Sequence, residues 1–384
     1  HTEMPVLFGI IMVKFSFNVE NNDNAARAGI IKTKHGTIKT PVFMPVGTSA
    51  TVKAIFPKDL LDLDIEIILA NTYHLMLRPG ENLIKKIGGL KSFMNWKKPI
   101  LTDSGGFQIW SLSKLRKVLD DGIHFTSHLD GNTYKLTPEK SILIQEKLNS
   151  TISMVLDECT EYPASYKRSK DSMNLSIEWA KRCKKKFKKR NGYGIFGIIQ
   201  GGMYNDLRKF CYNELEKINF DGYALGGLSV GESHKEMINI VENTVKIINF
   251  NKPRYLMGVG RPVDIFESVE RGVDMFDCVI PTRFGRNGRA FVKDGEINLR
   301  NAKFAKDQSP LDVNGDSIVS KEFSKAYLHH LTKSNEILSS MILSLHNIAF
   351  YKKMMVEIRE SIIKNKFKEL KQKYLKHHGK YKKN

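Results

Sequence analysis

The sequence predicts an α/β protein built as a (β/α)8 TIM barrel. Three observations point there. Eight short, nearly continuous apolar runs recur along the chain, each ending in a small or polar cluster. Amphipathic helical stretches separate them. The chemically unusual residues collect at the C-terminal ends of the runs. Apolar strands without alternation are those of a parallel sheet covered on both faces, and eight of them favour closure into a barrel. An open doubly wound sheet is the alternative. No GxGxxG follows the first run, which weighs against its dinucleotide-binding form.

Taken in order, residues 1–11 read as a leader or expression scar, with Met12-Val13-Lys14 as a natural start. Residues 27–39, with His35-Gly36 at the middle, read as a β-hairpin ahead of the barrel. The eight runs are 41–47 (PVFMPVG), 66–74 (EIILANTYH), 99–108 (PILTDSGGFQ), 153–158 (SMVLDE), 194–202 (GIFGIIQGG), 222–232 (GYALGGLSVGE), 254–260 (RYLMGVG) and 275–283 (MFDCVIPTR). Helical periodicity covers 57–63, 138–148, 170–190, 207–218, 234–248 and 262–271. The expected organisation is a catalytic barrel over 12–290, a small subdomain over 291–350, and a basic C-terminal helix and tail over 351–384 that completes the barrel.

Composition narrows the class. With 41% hydrophobic and 27% charged residues among 384, the chain is an ordinary globular one, not collagen, coiled coil or a disordered polymer. No apolar run reaches the roughly 18 residues of a membrane span, so no membrane partner is expected. Residues 5–13 are short for a signal-peptide core and lack a basic segment before them. Cys159, Cys183, Cys211 and Cys278 form no CxxC pair. That argues against a disulfide framework and a thiolate metal site, and predicts a reducing, cytoplasmic location. The 61 Lys and Arg against 41 Asp and Glu, net +20, predict attraction to a polyanion, nucleic acid or an anionic membrane surface. The competing explanation is a Lys-rich surface without a partner.

In a (β/α)8 barrel the C-terminal strand ends converge on one face, where active sites are built. His74, Asp103, Asp157, Gln200, Gly226-Gly227, Gly258, Gly260 and Asp277 all lie at such ends. Asp103 and Asp277 facing one pocket suit chemistry at an anomeric carbon, one carboxylate attacking and the other moving a proton. A glycosidase fits this much. Asp157 and Gln200 offer the acceptors and donors that read a purine-like edge. Phe107 and Met257 can wall such a ring, or simply pack.

The segments TDSGGFQ, MVLDECT, GIIQGG, ALGGLSVGE, YLMGVGRP and FDCVIPTRFGRNGRAF, in this order, resemble the tRNA-guanine transglycosylase (queuine tRNA-ribosyltransferase) family of bacterial type, over about residues 15–351. The resemblance implies replacement of guanine at the wobble position of GUN anticodons by a 7-deazaguanine, through a covalent ribosyl-enzyme. It implies Asp277 as nucleophile and Asp103 as general acid/base. It further implies Phe107, Asp157, Gln200, Gly227, Leu228 and Met257 as base-binding residues, and Arg283, Arg286 and Arg289 as RNA contacts. Cys159 and Val230 resemble the bacterial pattern, and with Glu232 near Leu228 the resemblance implies preQ1, the aminomethyl base, rather than queuine as the incoming base. A homodimer is expected. The alternatives are a non-catalytic RNA-binding relative, which the presence of both Asp103 and Asp277 disfavours, and a relative acting on DNA.

One departure from the family stands out. Its zinc subdomain follows the eighth strand, with a CxCxxC run and a later His. Here the cysteine positions hold Gly315, Ser317 and Ser320, and the later His is His346. Neutral hydroxyls and one imidazole are a poor zinc set, so no metal and no cofactor are expected. The subdomain is expected to pack through Leu311, Ile318, Val319, Phe323, Tyr327 and Leu328 against a helix bearing Ile342, Leu345 and Ile348. Lys181–Arg190 and the lysines from 364 to 383 are candidate additions to the RNA surface.

Overall fold

The computed structural model describes residues 13–379. The expected leader, residues 1–11, lies outside the described residues, as does the end of the basic tail. All eight apolar runs contribute a strand: β1 Val42–Gly47, β2 Ile68–Ala70, β3 Ile100–Thr102, β4 Ile152–Met154, β5 Gly194–Ile199, β6 Gly222–Leu225, β7 Arg254–Leu256 and β8 Met275–Cys278. They form one closed barrel in sequence order. Every neighbouring pair is parallel, and β8 returns to β1 with Asp277 opposite Met44. The strands are shorter than the runs because the polar ends leave the ladder and turn into loops or helices. In the eighth run only Met275–Cys278 is strand, and its remainder starts a helix.

Between the strands lie α1 Gly106–Leu112, α2 Pro138–Lys147, α3 Tyr166–Lys186, α4 Asn205–Ile218, α5 His234–Val245, α6 Pro262–Glu270 and α7 Ile280–Arg286. Their starts follow from local chemistry. Thr137 and Ser165 accept from the backbone N–H three residues on, and Ser233 with Glu236 makes a full capping box. The Ser165 cap starts α3 four residues before the periodicity does. Its C-terminal end points to the N-terminal end of the barrel, since each helix runs back to the start of the next strand. Lys181–Arg190 therefore sits opposite the strand ends that carry Asp103 and Asp277. Lys181, Arg182 and Lys188 there pair with Glu178, Glu139 and Glu146.

The hairpin expected at 27–39 is present as strands Ala26–Thr33 and Gly36–Thr40, and Ser16–Asp23 adds a third strand. This sheet covers the barrel's N-terminal end. Arg27 reaches Asp274 at 2.6 Å with both side chains buried, and also donates to the carbonyls of Phe250 and Lys252. A second three-stranded sheet, Arg116–Leu119, Gly122–Thr126 and Thr133–Leu136, is absent from the periodicity of the sequence. It sits between β3 and α2; Leu119 pairs with Gly122, so its first turn is the two-residue loop Asp120-Asp121 and Gly122 opens the next strand.

After α7 comes the hairpin Arg289–Val292/Gly295–Asn298, then short helices, then α8 Ile337–Ile363 and α9 Phe367–His378. The helix α8 runs unbroken through position 350, so the boundary expected at 350/351 falls inside one element. It serves two cores. Ile342 and Leu343 belong to a small cluster with Ala290, Leu299, Phe304, Leu311, Leu328 and Leu331, whereas Ile348, Tyr351 and Met354 belong to the barrel core. Val319 and Phe323 border the small cluster. Ile318 and Tyr327, expected to pack there, are 68% and 40% exposed. Gly315, Ser320 and His346 do converge: a Cβ on Gly315 would stand 2.6 Å from Ser320 Oγ, which is 2.7 Å from His346 Nδ1. His346 Nε2 lies 2.6 Å from the Phe291 carbonyl, and burial lowers the imidazole's pKa. Both ring nitrogens are thus engaged. Asp312 accepts from the backbone N–H of Lys293 and Asn314, and Asp316 pairs with Lys353.

Candidate active site

The strand ends bring the expected carboxylates together. Asp103 follows β3 and is 8% exposed; Asp277 lies in β8 and is 9% exposed. Asp103 Oδ1 accepts from the Thr72 N–H at 2.9 Å, and Oδ2 accepts a short bond from the Asn71 amide. The Thr72 hydroxyl donates back to the Asp103 carbonyl at 2.6 Å. Both partners come from the loop after β2, so two adjacent strand ends fix this carboxylate. Burial pushes it up to about 6, Asn71 and Thr72 pull against that rise, and the nearby charge of Asp277 adds to it. A group poised there can both give and take a proton near neutral pH.

Asp277 is held differently. Its Oδ1 accepts from the Tyr255 hydroxyl at 2.5 Å and from the Gly258 N–H at 2.8 Å. Among the described residues Oδ2 accepts no bond, so one oxygen is anchored and the other is without a hydrogen-bond partner. Burial raises this carboxyl as well, against the stabilising donors Gly258 and Tyr255. Tyr255 is driven well above its ordinary pKa by burial and by Asp277 itself, so it stays a neutral donor.

The residues expected to bind a base form a second group beside these. Gln200 Nε2 donates to Asp157 Oδ2 at 2.7 Å. Burial pushes Asp157 up to about 6, and this amide lowers it again. Gln200 Oε1 is buried without a partner among the described residues. Gly226 and Gly227 press against this pair. A Cβ on Gly226 would stand 2.7 Å from Gln200 Nε2, and one on Gly227, at φ +66°, 2.6 Å from Gln200 Oε1. Only glycine fits both positions. Leu228 is buried, and the next two backbone N–H groups, of Ser229 and Val230, donate to the Glu232 carboxylate. Both oxygens of Glu232 are thus engaged by the backbone. A cavity of about 220 Å³ opens beside Gln200, Gly227 and Val230, lined also by Thr160, Met203 and Tyr204.

Phe107 stands 47% exposed in the first turn of α1, its ring 5.6 Å from Trp110. Met257 is half-buried after β7. Of the three arginines, Arg283 and Arg286 are exposed on α7. Arg289 is half-buried, 3.0 Å from Glu296 and stacked 4.2 Å above Phe284, so much of its charge is spent within the fold.

Asn71, Thr72, Tyr255 and Arg208 escape a reading of the sequence. Asn71-Thr72 stands beside His74 in the second run, where the imidazole draws attention instead. His74 itself lies within the helix Thr72–Leu77. Tyr255 reads as one more apolar strand residue, and only β7 lying beside β8 gives its hydroxyl a role.

The family model described as queuine tRNA-ribosyltransferase matches residues 22–380. The queuine tRNA-ribosyltransferase of Rickettsia bellii (strain OSU 85-389) is 53% identical over 351 residues, covering 91% of this chain and 97% of the relative. That of Rickettsia typhi (strain ATCC VR-144 / Wilmington) is 52% identical over the same shares. With a buried carboxylate pair on a closed barrel and a match over nearly its whole length, the chain belongs to the queuine tRNA-ribosyltransferase family, the bacterial tRNA-guanine transglycosylases.

Proposed function

We propose that the chain replaces guanine in tRNA, at the wobble position of GUN anticodons, by a 7-deazaguanine through a covalent ribosyl-enzyme. The observation that carries this is Asp277, with one oxygen gripped by Tyr255 and Gly258 and the other free, near an Asp103 poised at about 6. The target base leaves its stack to reach the pocket. Asp277 attacks C1′, the C1′–N9 bond breaks, and its electron pair departs on guanine, which takes a proton from Asp103. The incoming base then gives its N9 proton to Asp103 while N9 attacks C1′ and releases Asp277. Two displacements retain the configuration at the sugar. Incubation with labelled guanine tests the polymer: label entering tRNA supports the reading, and label entering DNA alone sinks it.

The incoming base under this reading is preQ1. Glu232 fixes the Ser229 N–H outward, and in a planar trans peptide the Leu228 carbonyl then points the opposite way. That carbonyl is an acceptor for an ammonium on the base. Cys159 is buried and kept as a neutral thiol by that burial. Queuine exchanged much faster than preQ1 in competition would overturn this choice.

The same reading carries no structural zinc. Gly315 offers no donor, Ser317 and Ser320 offer neutral hydroxyls, and both His346 nitrogens already have partners. Elemental analysis of chelator-free protein is the measurement; one zinc per chain whose removal unfolds the subdomain would refute it. Exposed Ile318, Tyr327, Ile337 and Leu338 support a homodimer, and a monomer in sedimentation velocity at micromolar concentration would speak against it.

A further inference from the structure

Arg208, on α4, is fully buried, yet no carboxylate pairs with it among the described residues. Its guanidinium donates to three main-chain carbonyls: Gly202 at 2.8 Å, Ile199 at 3.2 Å and Gly226 at 2.9 Å. Burial lowers its pKa to about 10, so it is still a cation at neutral pH. A buried charge satisfied by dipoles alone is a costly arrangement, and the places it touches explain what it does. Ile199 and Gly202 bracket Gln200, and Gly226 precedes Gly227.

The peptide between Gly226 and Gly227 is trans. Its carbonyl is turned to Arg208, so its N–H, that of Gly227, points the other way. That N–H has no acceptor among the described residues, and the adjacent Gln200 Oε1 has no donor. From this we infer that Arg208 is a positioning residue for base recognition. It holds the Gly227 N–H toward the 6-oxygen of the guanine-type base. The inference rests on the base-exchange reading above and names a determinant of that site.

The full-length enzyme with tRNA tests it, using Arg208→Met and Arg208→Lys. Guanine is compared with 2-aminopurine, which lacks the 6-oxygen and the N1 proton that accompanies it, as competing free bases; the change of the ratio on mutation, not its wild-type value, reports the 6-oxygen contact. Wild type is expected to prefer guanine by at least about 10-fold, the usual loss when a buried donor is left unpaired. In Arg208→Met, guanine is expected to weaken roughly 10–100-fold, 2-aminopurine by less than about 3-fold, and KM for tRNA to stay within about 3-fold. Arg208→Lys, which keeps the cation but not the three-way fork, is expected to recover part of the preference. Equal weakening of both bases, or a tRNA KM rising with them, would show a purely structural role and overturn the inference. If Arg208→Met does not fold, the guanine-to-2-aminopurine ratio is read in Arg208→Lys, where a smaller but still selective loss for guanine is expected. Equal binding of the two bases by wild type overturns it without any variant. A wild type that incorporates no guanine into tRNA refutes the base-exchange reading and the inference with it. A wild type that does, with the ratio unmoved in the variants, refutes the inference alone.

Discussion

Replacing Asp103 by Asn is expected to make the protein more stable while nearly silencing it. The folded carboxyl titrates at about 6 against an ordinary 3.8, chiefly because it is buried. Above pH 6 the ionised group is therefore held at a cost of about 3 kcal/mol, each pH unit being worth about 1.4 kcal/mol. The sign follows from the native state binding the proton more tightly than the unfolded chain. The group's favourable contribution is complete below about pH 4 and disappears as pH rises to about 6. An amide in its place never ionises, and Asn71 can turn its own amide to match it. At pH 8 the Asp103→Asn variant is expected to gain up to about 3 kcal/mol, falling to roughly half of that at pH 5. With about 2.1 cal/mol/K of unfolding entropy per residue, the gain at pH 8 corresponds to a melting temperature about 4 °C higher for a chain of this length. Calorimetry at the two pH values, beside an exchange assay expected to fall roughly 10²–10⁴-fold, makes the measurement. A variant no more stable at pH 8 than at pH 5, relative to wild type, would refute the account of Asp103 as a destabilised, buried acid.

Other outcomes follow from the same geometry. Asp277→Asn is expected to abolish the denaturation-resistant RNA adduct and to cut exchange roughly 10⁴-fold or more, since an amide is a poor nucleophile; an adduct persisting on a gel would remove Asp277 from that role. Guanine binding is expected to weaken as pH falls through about 6, where Asp157 gains a proton and loses acceptor capacity. A flat profile of guanine affinity between pH 8 and pH 5 would contradict it. Arg283→Ala and Arg286→Ala are each expected to reduce the salt slope of RNA affinity by about 1. Lys185→Ala and Lys186→Ala, at the opposite end of the barrel, are expected to leave it unchanged, and the reverse pattern would relocate the RNA surface.

Much of this architecture is legible in one dimension. Burial of a parallel barrel on both faces writes itself as eight apolar runs, and chain direction alone places Asp103, Asp157, Gln200 and Asp277 at one end. Helix starts are equally local, as Ser165 and Ser233 show. The second sheet, by contrast, is hard to read, because Arg116–Leu136 interrupts the strand–helix alternation and its strands are only four or five residues long. Ile318 and Tyr327 resemble core residues because hydrophobicity does not say which face of a short helix meets a neighbour.

Periodicity, chain direction and residue type, all local properties, are enough to specify the barrel, the end that carries the chemistry and the two carboxylates. How each carboxylate is held, which arginines stay exposed, and which side chain grips the Gly226 carbonyl are decided in three dimensions. Asn71 and Asp103, Tyr255 and Asp277, Arg208 and Gly226 belong to different segments, and they meet only because neighbouring strands and helices pack side by side. Hydrogen bonding and desolvation act across those few ångströms, and no spacing along the chain records them.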